Sequence, residues 1–511
     1  MFKSRLFKSI ACMAVVLVFM LGMSACTSKE ASNDNEVTLK WVLGGAGKQQ
    51  DSDEVWELFN KKLQEKLPNT RVEFEVIPTA EYAEKWKLFA ASGEQIDIAW
   101  FGWMLNMEKE ARSGSISPIT ELLDSHGKEL KGVMEDWVWD TVKIDNEIYA
   151  VPNYQIMVSR PTAFRTPKAL ADQYLNKERL VKAWTDWAQS EEVLEMPDEF
   201  FDAIEDYLLK LKEAGKIGLG ISPEVFSGWL NPVNQSRFDN FGIVTKENDK
   251  VVVKDINDYY LHYYERINQL YKKGLIRKDA ATVKDHSVDT GVEGGYVIWA
   301  HQYDDYTKAA EEKSYGMELE YIMPENAKCT RYYKAGGTNT VILRTCRNPE
   351  RAMQLLNLIN SETGKELYNL LVYGIEGKHY IKTGENTIET IGYTGTPTAE
   401  SAYGINDWIV GNTFNAYDTQ TDEPGYADYV RNVLHANSQP NLLQGFVFNS
   451  DAIKMEKSQL DSINTEFSGL ATGAFENYKD LFKQKREKLQ KSGIEKALKE
   501  VQAQLDAWQN Q

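Results

Sequence analysis

KAGGTNTVILRT, Lys334 to Thr345, is the stretch on which the fold turns. Gly336 and Gly337 open it with a backbone free to bend, and Thr340 to Thr345 is β-branched and apolar enough for a short strand. Asn348 and Pro349 then supply an N-cap and a first-turn proline. Ala352, Leu355, Leu356 and Ile359 follow at i, i+3, i+4, i+7, which predicts an amphipathic helix, and Leu367, Leu370 and Leu371 predict a second one ended by Gly374. Gly374 to Tyr380, punctuated by glycine, reads as extended. A bend, a strand and two helices at this depth in the chain are expected to re-enter a domain begun much earlier.

That earlier domain is legible from Val37 onward. Val37 to Leu43 reads as a strand running into the glycine loop Gly44 to Gly47. The Gly47-Lys48 pair is no phosphate loop: the first glycine of that motif falls at Val42, and Gln49 replaces the hydroxyl a Mg²⁺ site needs. A helix with Val55, Trp56, Phe59, Leu63 and Leu67 inward follows, then an alternating strand from Arg71 to Ile77. Tyr82, Trp86 and Phe89 mark another helix, and Ile96 to Phe101 a buried strand. The order β-α-β-α-β predicts a parallel sheet with right-handed crossovers, and so an α/β class. Ligands in such sheets sit beyond the carboxyl ends of strands, which puts Gly45, Phe101, Gly102 and Trp103 on the rim.

After a hairpin at Asp145 to Asn146 and an extended exit to Pro152, the chain changes character. Arg160 to Gln189 has no clean period and reads as an insertion of mixed helix and loop. Pro197 to Ala214 is a helix, Ile217 to Ile221 a buried strand, and Phe238 to Val253 a hairpin around Asn248-Asp249. A helix ending at Gly274, a strand in Glu293 to His301 and another in Tyr315 to Pro324 lead back to the opening stretch. Beyond it, Trp408 to Asn412 is expected near a cleft, Leu442 to Asn449 as a further crossing strand, and Asp451 to Trp508 as a solvated helical cap.

The N-terminus predicts export. Lys3, Arg5 and Lys8 precede an apolar run from Ile10 to Leu21, too short to span a bilayer comfortably. Met23-Ser24-Ala25-Cys26 resembles a lipobox, with Met23 in place of the usual leucine. It implies a signal peptide over residues 1–25, lipidation of Cys26 and a polar tether over residues 26–36; the alternative is an ordinary secretory signal. The chain carries 58 basic against 76 acidic side chains, a net charge of −18, which argues against nucleic acid as a partner. Of four cysteines, Cys12 lies in the leader, so a disulfide scaffold is excluded.

Asp97 to Trp103, the Asp145 to Pro152 hairpin, Glu293 to His301 and Lys334 to Tyr380 together resemble the extracellular solute-binding lipoproteins of ABC importers, in the sugar and oligosaccharide branch. Tyr373 to Tyr380 is most similar to the long Gram-positive members. The resemblance implies a type II periplasmic-binding-protein-like fold, two α/β lobes joined by hinge strands around a cleft. Residues 37–152 plus 335–374 would form lobe 1, and 153–334 plus 375–511 lobe 2 with C-terminal helices. Asn153 to Gln155 would be the first hinge crossing. Cys329 and Cys346 would then lie in different lobes, beyond the reach of one disulfide.

Sugars present apolar C–H faces that stack on aromatic rings and hydroxyl edges that need paired donors and acceptors. Thirteen Trp and 26 Tyr suit that chemistry, although most pack in cores, as expected for Trp56 and Trp86. Loop positions single out Trp103, Tyr154, Trp229, Trp299 and Tyr303; Gly45, Phe101, His301, Gln302 and Asn339 complete the expected ligand set. His301 reads equally well as a structural histidine. Scattered histidines give no HExxH, there is no nucleophile elbow, and neither a catalytic residue, a metal nor a cofactor is expected. The expected partners are a carbohydrate, ABC permease subunits and a membrane reached through the lipid anchor, with the chain a monomer. The alternatives are a surface-anchored polysaccharide-degrading enzyme, an adhesin, or a binding protein for peptides or other polar solutes.

Overall fold

The computed structural model describes residues 36–190, 195–216, 236–276, 278–282, 299–334 and 337–510, with the side chains of 236–237 and 299–301 outside the description. The proposed leader, Cys26 and its tether therefore lie outside the described residues, as do the strand expected at Ile217 to Ile221 and Trp229.

The first lobe begins as β1 (Val37–Gly45), α1 (Ser52–Lys66), β2 (Thr70–Pro78), α2 (Thr79–Ser92) and β3 (Ile98–Gly102). β1 pairs in parallel with both β2 and β3, the arrangement expected of two consecutive crossovers. The short strand β4 (Val151–Pro152) stands at the far edge of the sheet. Between β3 and β4 lies the return strand Thr338–Ile342, antiparallel to both, so the sheet order is β2, β1, β3, return strand, β4. Thr338 to Ile342, inside the KAGGTNTVILRT stretch, thus does pair with the sheet begun at Val37. Asp145 and Asn146, both with left-handed backbone, make the two-residue turn of the hairpin Lys143–Ile148.

In the second lobe the segment expected as an insertion is instead the centre of the sheet. β5 (Thr162–Pro167) pairs antiparallel with β6 (Trp299–Gln302) on one side and β7 (Leu319–Ile322) on the other. Its polar residues hid it: Arg165 is buried and bonded at 2.6 Å to Glu311, and the Thr166 and Tyr207 hydroxyls lie 2.8 Å apart. The hairpin Gly242–Asp255 turns at Asn248 and Asp249 with left-handed backbone at both, as its sequence requires.

Two large cores result. One draws on residues between Leu39 and Met157, then on Val341 to Val410; the other runs from Phe164 to Ile322 and resumes at Leu443 to Leu505. Tyr380, Ile388, Tyr403, Ile405 and Ile409 belong to the first core, so the segment after Gly374, expected in lobe 2, packs on lobe 1. The helices Lys454–Glu466, Tyr478–Lys491 and Ile494–Gln509 are structural parts of the second core through Leu460, Leu489, Val501 and Leu505, rather than a solvated cap.

Three segments run side by side between the lobes. Val158 and Ser159 pair antiparallel with Arg331 and Thr330, and the Arg331 N–H donates to Gln439 O at 2.9 Å. No strand forms at Leu442 to Asn449; an irregular crossing replaces it, with Phe446 in the second core and Val447 against the first. Cys329 and Cys346 are free thiols, the former in the junction cluster with Val158 and Leu434, the latter against the first core. Burial pushes them up to about 11 and about 12.

Candidate functional site

Among the described residues, a cleft of about 570 Å³ opens between the lobes where the hinge segments meet the carboxyl end of β3. Phe101, Gly102, Trp103 and Met104 leave β3 directly into its wall. Asn339 stands opposite Phe101 in the register of the return strand and lines the floor. Phe238, Asp239, Tyr333, Lys334, Phe446 and Phe448 close it from the other side.

Trp103 is 61% exposed, unusual for an indole, and its exposure is held in place. Its ring centroid lies 5.9 Å from that of the wholly buried Trp100 and 5.8 Å from that of Trp408, with Trp100 and Trp408 themselves 6.0 Å apart. Trp100 in turn fills space that two glycines leave open. A Cβ at Gly44 would come within 2.4 Å of the indole, and one at Gly102 within 2.3 Å. Gly44, near the end of β1, therefore admits a tryptophan from the neighbouring strand. It does not present backbone to a ligand, and Gly45 lies off the cleft wall, with Val76 as its close neighbour.

Asn339 is 4% exposed, and its Oδ1 is buried without a donor among the described residues. Leaving an amide acceptor unpaired costs about 1–3 kcal/mol, so a ligand hydroxyl that reached it would be rewarded. Charged groups around the cleft are mostly paired. Glu108 accepts from Arg112 at 3.0 Å, and burial pushes its carboxyl above the usual range against that pull. Asp239 lies 3.1 Å from Lys457, and Lys143 2.7 Å from Asp140.

The other expected site residues fall elsewhere. Tyr154 is 2% exposed, its hydroxyl donating to Glu135 at 2.7 Å and its ring edge-on to Phe414, so it is hinge core. Its loop position singled it out in the sequence; in the fold a carboxylate satisfies its hydroxyl internally. Gln302 accepts from Arg160 at 3.3 Å, and the Tyr303 hydroxyl donates to Asp305 at 2.7 Å while its ring packs on Tyr321. Trp299 and His301 lie in β6, which pairs with β5, but their side chains are outside the description. Phe238, Tyr333 and the Phe446 to Phe448 crossing line the cleft and were not among the expected site residues. A Tyr332-Tyr333 pair directly before the hinge glycines was the available signal.

Among the described residues no group of three or more His, Cys, Asp or Glu is placed to hold a metal ion, and no helix is long and apolar enough to cross a membrane.

Comparison with known proteins agrees with this geometry. Residues 442–510 match a family described as a domain of unknown function, DUF3502. The chain is 27% identical over 523 residues to a carbohydrate ABC transporter substrate-binding protein of Streptococcus pneumoniae, covering 96% of each. Its fold is similar to an N-glycan transport solute-binding protein of the same species, with TM-score 0.68, 21% identity, and 92% and 99% of the two chains covered. It is also similar to an extracellular solute-binding protein of Bifidobacterium longum subsp. infantis, with TM-score 0.55, 15% identity, and coverage of 93% and 99%. The two-lobed fold and the resemblance to solute-binding proteins of ABC importers are thus borne out.

Proposed function

We propose that this chain is the substrate-binding component of an ABC importer, which captures an oligosaccharide in the inter-lobe cleft and presents it to a membrane permease. The observation that carries this reading is the exposed Trp103, held on Trp100 and Trp408 at the cleft wall, with Asn339 Oδ1 in the same lining and without a donor among the described residues. A sugar ring stacks its C–H face on the indole, and its hydroxyl edge supplies the donor that Asn339 lacks. Phe238 and Tyr333 meet the ligand from the opposite lobe. Contacts to both lobes exist together only when the cleft is shut, so the ligand favours the closed state by that difference.

The transport names of the relatives support binding without turnover. In the same reading the leader is removed and Cys26 carries the lipid. The tether then holds a monomer on the extracellular face of the cytoplasmic membrane. A melting-temperature screen over plant and host oligosaccharides, with peptides alongside, followed by calorimetry, tests it. One-to-one binding of a sugar without change to it is expected. Sustained release of reducing ends, or binding by peptides alone, would overturn it.

A further inference from the structure

The charge pattern of the cleft says more about its ligand. Glu108, Asp239, Lys143 and Lys457 each have an oppositely charged neighbour. Lys334 differs. It is exposed at the cleft with its ammonium 5.5 Å from the centre of the Tyr333 ring, and no carboxylate of the described residues lies within ion-pair distance. In a chain with 76 acidic side chains against 58 basic ones, a cation left without an acid at the mouth of a ligand cavity runs against the bulk composition.

Five positions further along the same hinge segment, Asn339 offers the opposite need. Its buried Oδ1 requires a donor, whereas an ammonium requires an acceptor and gains most from a charged one. A simple anion meets Lys334 but gives Asn339 nothing and leaves the Trp103 face bare. A neutral sugar meets Asn339 and Trp103 but brings the ammonium no opposite charge, leaving it with Tyr333. A sugar acid supplies hydroxyl donors, an apolar ring face and a carboxylate on one scaffold.

We infer that the cleft is built for an oligosaccharide bearing a carboxylate, a uronic acid or a related acidic sugar, with Lys334 selecting for the charge and Asn339 taking a hydroxyl beside it. This rests on the carbohydrate reading above and names its substrate class. Because Lys334 is at the mouth, its attraction is open to screening, which shortens from about 10 Å at 0.1 M salt to about 3 Å at 1 M.

The test is calorimetric titration of the intact mature chain with mannotriose, galactotriose and cellotriose, each beside its C6-carboxylate form. In at least one series the acid is expected to bind about tenfold tighter than its neutral parent at low salt, the worth of one charge-assisted bond. The gap is expected to shrink at molar salt, and Lys334→Met to bring the acid-to-neutral ratio near one at an unchanged melting temperature. Neutral parents binding as tightly as the acids, or a ratio that survives Lys334→Met, overturns the inference and leaves the carbohydrate reading standing. If none of these probes binds but a neutral glycan from the wider screen does, the inference is again overturned. If no sugar in either set binds, both readings fall.

Discussion

The two lobes build their sheets by different routes, one mostly parallel and the other antiparallel. In the first, three parallel strands and their helices follow one another between Val37 and Gly102, and only the return strand and β4 come from a distance. In the second, the central strand β5 waits for partners at Trp299–Gln302 and Leu319–Ile322, and the core is completed by helices at the very end of the chain. The difference teaches where sequence pattern carries structure. Parallel strands buried on both faces are written as apolar runs that need no partner to be recognised. A short antiparallel strand that buries Arg165 and Thr166 is readable only once Glu311 and Tyr207 are beside it.

The contrast can be attacked at its strongest point first. Trp100→Ala removes an indole that Gly44 and Gly102 are shaped around, and is expected to cost about 3–5 kcal/mol. It should also weaken sugar binding by loosening Trp103. In scanning calorimetry the transition of the first lobe should fall while that of the second holds. A single transition that moves as a whole would show that the two cores unfold as one. Leu505→Ala, in the last helix, is the reciprocal experiment. Its side chain is fully buried in the second core, so a loss of about 2–5 kcal/mol is expected there. A change within about 0.5 kcal/mol, the usual range for surface sites, would return the C-terminal helices to the role of a solvated cap.

A smaller effect separates site from scaffold. Trp103→Ala should lower affinity for the captured sugar by about tenfold, equivalent to about 1.4 kcal/mol, with little change in melting temperature because the ring is mostly exposed. Unfolding of this variant would move Trp103 from the site to the core.

An effect of similar size concerns pH. Asp407 precedes Trp408, its Oδ1 accepts from the Trp408 N–H at 2.8 Å, and burial pushes its carboxyl up to about 6. A folded value above the ordinary 3.8 means that the folded state holds the proton more tightly. Ionisation between about pH 4 and 6 therefore costs stability, and the full cost is present above pH 6. Asp407→Asn keeps an acceptor for the Trp408 N–H and should raise the melting temperature at pH 7.5 by an amount worth about 1–2 kcal/mol. The gain should vanish near pH 4, where the carboxyl is protonated folded or unfolded. A gain independent of pH would assign it to packing instead.

Legibility of the site followed the same division. Phe101, Trp103 and Asn339 were readable because β3 and the return strand were, and strand ends point at clefts in sheets of this kind. Tyr154, Gln302 and Tyr303 have neighbours within the chain that satisfy their polar groups, which a sequence does not show. Phe238, Tyr333 and Phe448 went unread because their meeting depends on three hinge segments lying side by side, which no local pattern encodes.

The apolar runs, the helices between Pro349 and Tyr373 and the Asn248-Asp249 turn were determined by sequence alone, since each rests on backbone preference and periodicity within a few residues. The tertiary structure decided the rest. Burial assigned residues 375–410 to the first lobe and the terminal helices to the second, because a helix face shows that it must pack but not against what. It also turned Gly44 and Gly102 into space for Trp100, and among the described residues it left Lys334 without a carboxylate and Asn339 Oδ1 without a donor on one cleft. Absence of a partner is a property of the folded neighbourhood. It is visible only when every nearby charge and donor has been placed.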